Sequence, residues 1–190
     1  NERIIKTVLD MHGLSKKFDK QAILQDLHLT IREGDIYGLI GKNGAGKTTT
    51  ISILTSIIEA TYGEVLVDGQ ALSANRDAVK KRIGYVPDSP DIFLNLTASE
   101  YWYFLGKIYG VEDSQVEQRI ADLTQVFDLT QQQNDIIDSF SHGMRQKVIV
   151  IGALVVNPDI WILDEPLTGL DPQASFDLKE MMKQHAQAGN

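Results

Sequence analysis

Short apolar runs and amphipathic stretches alternate along the chain, and their spacing predicts both strands and helices. Runs of alternating or continuous apolar residues predict strands at 6–14, 22–31, 36–40, 64–68, 83–86 and 160–163. Apolar residues at helical spacing predict helices at 47–57, 75–81, 141–156 and 172–188. The short continuous runs are typical of strands buried in a parallel sheet, so the pattern indicates an α/β fold.

Residues 97–134 differ in composition from the rest of the chain. They are helical in pattern, rich in Gln and aromatic residues, and without strand-like alternation. This stretch predicts a helical subdomain inserted into the α/β fold. Its first helix is crowded with aromatic residues, and Trp102 and Tyr109 share one predicted face with Leu105 between them.

Composition narrows the classes of partner. The chain has 190 residues, 43% of them hydrophobic, and a formal net charge of -8. This acidic balance argues against non-specific nucleic-acid binding, which needs basic surface to displace counterions. The absence of cysteine excludes disulfides and thiolate metal sites. No apolar stretch reaches the roughly 18 residues of a membrane span, so we expect any membrane task to fall to another subunit.

Residues 41–48 match the pattern G-x-x-x-x-G-K-[ST], between a predicted buried strand and a predicted helix. Glycines let backbone N–H groups turn inward around a phosphate, and the helix directs its positive end at the same anion. The alternative without a binding function is a glycine-rich turn with a solvated lysine. The context favours a phosphate loop, whose expected nucleotide-binding residues are Gly41, Lys42, Asn43, Gly44, Ala45, Gly46, Lys47, Thr48 and Thr49.

Two acids follow the apolar run 160–163. In an open α/β sheet, ligands gather at the carboxyl ends of the strands. Asp164 is therefore expected to orient Mg²⁺, and Glu165 to polarise a water that attacks the terminal phosphate. An ordinary strand-end turn would account for the two acids alone, but the phosphate loop upstream favours the functional interpretation.

Three further segments resemble motifs of ABC transporter ATP-binding domains. Residues 140–147, FSHGMRQK, resemble the signature, usually written L-S-G-G-Q and followed by basic and Gln residues. Residues 167–172, LTGLDP, resemble the D-loop, and residues 83–88, IGYVPD, resemble the strand that leads to the Q-loop. The segments occur in the order of the family and the resemblance covers nearly the whole chain. The sequence resembles the bacterial ABC-2, exporter-like branch of this family.

The resemblance implies a P-loop NTPase (RecA-like) three-layer α/β core with an N-terminal antiparallel β subdomain and an inserted helical subdomain. The core with its β subdomain is expected at 1–90 and 157–190, and the helical subdomain with the signature at about 91–156. The family's final strand and switch histidine would lie beyond residue 190, so we expect a C-terminally truncated domain that binds nucleotide better than it hydrolyses it. His185, the only late histidine, is expected to be a solvated helix-surface residue.

The resemblance also implies a mechanism. Two domains would pair head to tail as a homo- or heterodimer, with two ATP molecules and Mg²⁺ between them. Phe18 would stack on adenine. The expected catalytic residues are Glu165, Lys47 and Asp88. The expected metal ligands are Thr48, Asp164 and Asp88. The signature and D-loop residues expected at the nucleotide are Ser141, His142, Gly143 and Asp171.

The sequence departs from the family pattern at several of these positions. Phe140, His142 and Met144 stand where Leu, Gly and Gln are commonest, and Asp88 stands at the Q-loop position. His142 is bulky beside a phosphate and has an imidazole that titrates near neutral pH. Asp88 can hold Mg²⁺ or water, but it adds negative charge to the site.

The family implies a transmembrane permease as partner, with the ATP-binding subunit peripheral on the cytoplasmic face of the cell membrane. In the family, a helix of the permease enters a groove between the helical subdomain and the Q-loop. The aromatic residues of the first predicted helix suit such docking, although core packing explains them equally well. The loop 88–95 is the favoured contact, and the signature favours export.

Other function classes remain as alternatives. DNA-repair and translation ATPases share these motifs but usually carry coiled coils or a second cassette, which this acidic single cassette does not show. A nucleotide-dependent dimerisation module without turnover is a further alternative for a truncated chain. A small GTPase is disfavoured because the chain contains no N-K-x-D motif.

Overall fold

The computed structural model describes residues 6–41 and 46–190. These residues form two compact units, which are described separately. The first comprises the described parts of Asn1–Arg82 together with Met182–Asn190, and the second comprises Ile83–Met181.

An antiparallel sheet dominates the first unit. Its strands, in the spatial order β2-β1-β3-β4, are β1 (Thr7–Phe18), β2 (Gln21–Arg32), β3 (Tyr62–Val67) and β4 (Gln70–Ala71). The inward positions of β1 and β3 are fully buried and form its core, namely Leu9, Met11, Leu14, Val65 and Val67. β1 and β2 extend beyond the predicted ranges because each supplies the ladder partners of the other as far as the pair Phe18 and Gln21.

Two helices complete the regular structure of this unit, α1 (Lys47–Leu54) and α2 (Arg76–Lys80). Asp68, in the turn between β3 and β4, forms ion pairs with Lys6 at 2.8 Å and with Arg82. Burial opposes ionisation of Asp68, but hydrogen bonds from both cations and their charges outweigh it and lower the pKa of this carboxyl. Asp68 thus links Lys6, just before β1, and Arg82, shortly after α2, to the turn between β3 and β4.

The strand predicted at 36–40 does not form, so this prediction is wrong for the structure described. Residues 35–41 have no regular secondary structure, and the side chain of Ile40 is 95% exposed. An apolar run becomes a strand only when a neighbouring strand supplies hydrogen-bond partners. No described strand pairs with this run.

A parallel pair of strands lies in the second unit, β5 (Ile83–Val86) and β6 (Ile160–Leu163). Both ranges agree with the sequence prediction. Ile83 pairs with Ile160 and Val86 with Leu163, so the two strands end at the same level. Residues that follow β5 and β6 are therefore brought to one edge.

Helices account for most of the rest of the second unit: α3 (Ala98–Tyr109), α4 (Asp113–Val126), α5 (His142–Val155) and α6 (Pro172–Gln187), whose last turns belong to the first unit. Thr97 and Glu100 form a capping box that fixes the start of α3. A Cβ at Gly106 would lie 2.5 Å from Val116, so glycine permits the close approach of α3 and α4.

Trp102 lies in the core of this unit, so core packing, one of the two alternatives left open for the aromatic residues of this helix, applies to it. Its side chain is fully buried, and its Nε1 donates a hydrogen bond to the carbonyl of Val148 on α5 at 2.9 Å. The Tyr109 hydroxyl donates to the carbonyl of Ile83 at 2.7 Å. Both side chains thus join α3 to neighbouring elements of its own unit.

His185 is half-buried, not solvated as predicted, and lies 3.5 Å from the side-chain amide of Asn190. Among residues 6–41 and 46–190, none of the helices has the length and hydropathy required to span a bilayer.

Candidate nucleotide site

The amino end of α1 is built to accept an anion. Gly46 is its N-cap with φ of 90°, a left-handed conformation that favours glycine. Among the described residues, no side chain caps this helix. A Cβ at Gly46 would also lie 3.2 Å from the carbonyl oxygen of Ile23. The first-turn N–H groups therefore keep their hydrogen-bonding capacity for a ligand.

Lys47 and Thr48 begin the helix at this end. The Lys47 Nζ donates to the carbonyl of Gly41, and Thr48 is exposed. Thr49 is half-buried. The predicted nucleotide-binding residues Lys42, Asn43, Gly44 and Ala45 lie outside the described residues.

Phe18 ends β1 with its ring 48% exposed. The Lys16 Nζ lies 5.1 Å from the ring centroid, a cation–π distance. An exposed ring held at a strand end is a suitable surface for a base, and the predicted adenine contact at Phe18 stays a prediction.

Three predicted acids follow β5 and β6 at one edge of the second unit. The backbone N–H of Asp164 donates to the carbonyl of Val86 at 2.9 Å, which extends the parallel ladder to the first acid. Burial, and then the charges of Asp164 and Asp88, raise the pKa of the Tyr85 hydroxyl. The charges of both carboxylates thus affect the same hydroxyl, as expected for residues that follow two strands ending at the same level.

Glu165 has an unusual backbone conformation. Its φ is 50°, in the left-handed region that non-glycine residues seldom adopt, and its side chain is exposed. Its carbonyl accepts a hydrogen bond from the N–H of Thr168 at 3.0 Å. Such strain costs on the order of 1–3 kcal/mol and concentrates at functional sites. The turn directs the chain away from β6 and leaves the carboxylate in solvent.

Ser141 and Asp171 cap the two helices that border this edge. The Ser141 hydroxyl accepts from the N–H of Met144 at 3.3 Å at the start of α5, and His142 beside it is exposed. The Asp171 carboxylate accepts from the N–H of Ala174 at 2.8 Å and pairs with Lys147 at 2.9 Å. The backbone bond from Ala174 and the bond from Lys147 lower the pKa of Asp171. Both residues therefore stabilise the start of a helix, independently of any ligand that they bind.

Comparison with known proteins shows to which family a chain with these segments belongs. A family model described as ABC transporter matches residues 24–168. The chain belongs to the ABC transporter family. This confirms the resemblance to ABC transporter ATP-binding domains, and the matched range includes the predicted phosphate loop and the acids after β6.

Two curated relatives and one solved structure are similar over nearly the whole chain. Linearmycin resistance ATP-binding protein LnrL of Bacillus subtilis (strain 168) is 32% identical, over 96% of this chain and 58% of that protein. Nod factor export ATP-binding protein I of Ralstonia nicotianae is 31% identical, over 93% of this chain and 55% of that protein. The chain thus spans little more than half the length of these relatives.

The solved structure is an ATP binding subunit of an ABC transporter. It is 32% identical to this chain and has a TM-score of 0.92, and the match covers 96% of this chain and 76% of that one. The predicted α/β, P-loop NTPase fold of ABC type is confirmed by this likeness.

The residues of this ABC ATPase domain fit a nucleotide and its metal ion. The uncapped, glycine-started end of α1 suits phosphate oxygens. The exposed Thr48 hydroxyl and the Asp164 carboxylate are hard oxygen donors, the ligand type that Mg²⁺ prefers.

Sequence reasoning missed two side chains of this ABC domain. Gln146 and Lys147, inside the signature segment, contact the segment that follows Glu165. The pattern of α5 gave no indication of these contacts, because a residue's partner in a distant loop leaves no trace in local periodicity.

Proposed function

We propose that this domain binds ATP with Mg²⁺ and hydrolyses it to drive transport through a separate transmembrane permease. The observation that carries the proposal is the acid edge after β5 and β6. There, Asp164 continues the ladder and Glu165 presents an exposed carboxylate from a strained turn. Family membership and the anion-binding end of α1 support it.

The proposed roles follow from the chemistry of each group. Lys47 neutralises charge on the terminal phosphates, as a point charge at the start of α1. Glu165 accepts a proton from the attacking water, and Asp88, which follows β5, is proposed to assist it. Thr48 and Asp164 would hold Mg²⁺, which when bound neutralises charge on phosphate oxygens. Phe18 provides an aromatic surface for adenine.

Dimerisation completes the proposal. Ser141, His142 and Gly143 at the start of α5, together with Asp171, would contact the nucleotide held by a second domain. The amino end of α5, a helix of 14 residues, suits an anion, and Ser141 and His142 are exposed there. The second domain is another copy or a related cassette.

The deciding experiment for the proposed function is ATP turnover of the full-length wild-type protein, measured beside its gel-filtration mass with and without ATP. We expect hydrolysis, and a doubled mass when ATP is present and hydrolysis is slowed. Binding of ATP with neither turnover nor dimerisation would show that the protein is not a homodimeric enzyme. A different cassette or the permease would then be needed to form a working site.

The second unit also offers a surface for the permease. Phe93, Phe104 and Ile108 are each between 43% and 49% exposed, and the rings of Phe93 and Phe104 lie 5.6 Å apart between centroids. We refer to these three residues as the docking surface. Arg145 on α5 forms an ion pair at 2.7 Å with Asp91, in the loop that carries Phe93. The loop is thus tied to the helix that begins with the signature.

Replacing Phe104 with Asp is expected to weaken association with the permease by about 2 kcal/mol, or roughly 30-fold in Kd, because it puts a charge into an apolar contact. The measurement is binding of the purified protein to its permease in detergent or nanodiscs. Phe176→Asp is the matched control, because Phe176 is an exposed aromatic residue on another helix. Equal binding by both variants would place the permease contact elsewhere.

Export is the favoured direction, with the domain on the cytoplasmic face of the membrane. The names of LnrL, a resistance protein, and of the Nod factor export protein support outward transport. ATP-dependent uptake of labelled substrate into inside-out vesicles indicates export, whereas ATP-dependent release from them indicates import.

A further inference from the structure

The first six residues of α5 contact the loop 166–171, which follows Glu165. A Cβ at Gly143 would lie 2.6 Å from the carbonyl oxygen of Gly169, and a Cβ at Gly169 would lie 2.7 Å from the His142 ring. Gly169 also has φ of 78°. A side chain at Gly143 would have to displace backbone, whereas at Gly169 the positive φ favours glycine and a side chain would have to displace the His142 ring. We refer to this contact between residues 142–147 and 166–171 as the α5–loop interface.

Two polar side chains extend this interface along α5. Gln146 is almost fully buried, and its Nε2 donates to the carbonyl of Pro166 at 3.3 Å. The Lys147 Nζ lies 2.9 Å from Asp171 Oδ2, and the Lys147 side chain is only 15% exposed. The other oxygen of Asp171 accepts from the N–H of Ala174 at 2.8 Å. One carboxylate therefore joins α5, the end of the loop and the start of α6.

We propose that Lys147 is a positioning residue for ATP hydrolysis, which holds the loop 166–171 on α5 through its ion pair with Asp171 and thereby fixes the backbone of Glu165. The inference rests on the proposed role of Glu165 as the base.

The loop is fixed at both ends. At its start, the ladder bond from Asp164 to Val86 ties the chain to β5. Inside it, hydrogen bonds join Thr168 to Glu165 at 3.0 Å and Leu170 to Leu167 at 3.2 Å. At its end, Lys147 is the cation that binds Asp171. A strained residue such as Glu165 keeps its conformation only when its surroundings over-determine it. Loss of one fixed end relaxes that constraint.

The charge of Lys147 is well placed for this task. The Lys147 side chain is largely covered by protein, whereas its partner Asp171 is 48% exposed, so solvent partly screens the pair and its effect is a local restraint on the loop. The pair therefore favours one arrangement of the loop over others. The pair also links α5, which begins next to Ser141, to the segment that follows Glu165. A ligand bound at Ser141 and the proposed base Glu165 are therefore connected through the α5–loop interface.

The test uses four variants of the full-length protein. Lys147→Met removes the charge and keeps the length of the stem, and Lys147→Arg restores the charge. Asp171→Asn removes the ion pair but keeps a good helix cap, because asparagine caps as well as aspartate. The fourth variant combines Lys147→Met with Asp171→Asn. Lys107→Met is the matched control, because Lys107 forms an exposed pair with Asp113 at 4.0 Å.

Two measurements are made on each variant. The first is hydrogen exchange of the amides of Thr168 and Leu170, both of which donate hydrogen bonds inside the loop, without nucleotide. The second is kcat and KM for ATP. We expect Lys147→Met to exchange about tenfold faster in the loop and to lose about tenfold in kcat, with KM little changed, since misplaced groups lose transition-state stabilisation. Lys147→Arg should behave as wild type.

The double variant separates a shared role from two independent ones. If the ion pair is the cause, the loop of the double variant should exchange no faster than that of either single variant, and this comparison is made without nucleotide because Asp171 is also proposed to contact the nucleotide of a second domain. Additive increases in loop exchange, or loop exchange at the wild-type rate in Lys147→Met, would overturn the proposal. Because exchange is measured without nucleotide, failure of wild type to hydrolyse ATP would refute the proposed function while the exchange result still decides whether Lys147 holds the loop.

Discussion

Glu165→Gln is expected to lower ATP turnover by about 10²–10⁴-fold while ATP binding is retained. The amide has the shape of the carboxylate but cannot accept the proton of the attacking water. The exposed position of Glu165 makes disruption of the core an implausible cause of lost activity. The variant should accumulate as an ATP-bound dimer, because the dimer forms with ATP and dissociates after hydrolysis. Phosphate release, ATP titration calorimetry and gel filtration measure the three properties.

Asp159→Asn is the matched control for this variant. Asp159 precedes β6, whereas Glu165 follows it, so both changes convert an exposed acid to its amide near one strand. We expect Asp159→Asn to turn ATP over at the wild-type rate. If Glu165→Gln retained turnover within about threefold of wild type, the loss would be far below that of a missing general base, and another group would have to activate the water.

The parts of the fold that could be predicted are those in which local pattern and tertiary environment agree. The strands at 83–86 and 160–163 have the predicted bounds because each apolar run is followed by a residue of another type, Pro87, which has no N–H to donate, in one case and the acid Asp164 in the other. Asp171 caps α6 as predicted, with Pro172 in the first helical position, because capping depends on neighbouring residues alone.

The parts that could not be predicted depend on partners distant in sequence. β1 reaches Phe18 because β2 supplies its ladder, and the run 36–40 fails to form a strand because no described strand does so. In the candidate site, the acids and the helix ends were predicted from short motifs. The contacts of Gln146 and Lys147 with the loop 166–171 were not predicted. These contacts join two segments that are distant in sequence, and the local periodicity of either segment carries no information about the other.

The aromatic residues of α3 show the same limit within a single helix. The aromatic side chains at 101–104 indicate either a buried surface or a docking surface. The sequence does not indicate which of these residues belong to the core and which to the exposed surface. In the structure, Tyr101 and Trp102 are buried, while Phe104 and Ile108, four residues apart, are exposed on another face. The choice between these faces is made by α4 and α5, which cover only one of them.

Trp102→Ala is accordingly expected to destabilise the domain by about 3–5 kcal/mol, because it leaves a cavity the size of an indole where the ring is fully buried. The free energy of unfolding is measured from urea titrations of the full-length protein, read at the transition of this domain and compared at constant m. Trp102→Phe keeps most of the apolar volume but removes the donor to Val148, so a smaller loss of about 1–2 kcal/mol is expected.

Phe104→Ala, two positions along the same helix, is the control for helix propensity and loss of an aromatic ring. Because Phe104 is 43% exposed, its truncation should cost well under half of the loss at Trp102. Equal losses at both positions would mean that the two rings are buried alike, and Phe104 would then be unavailable to a permease. The stability ratio of the two variants therefore tests the docking surface without the permease being present.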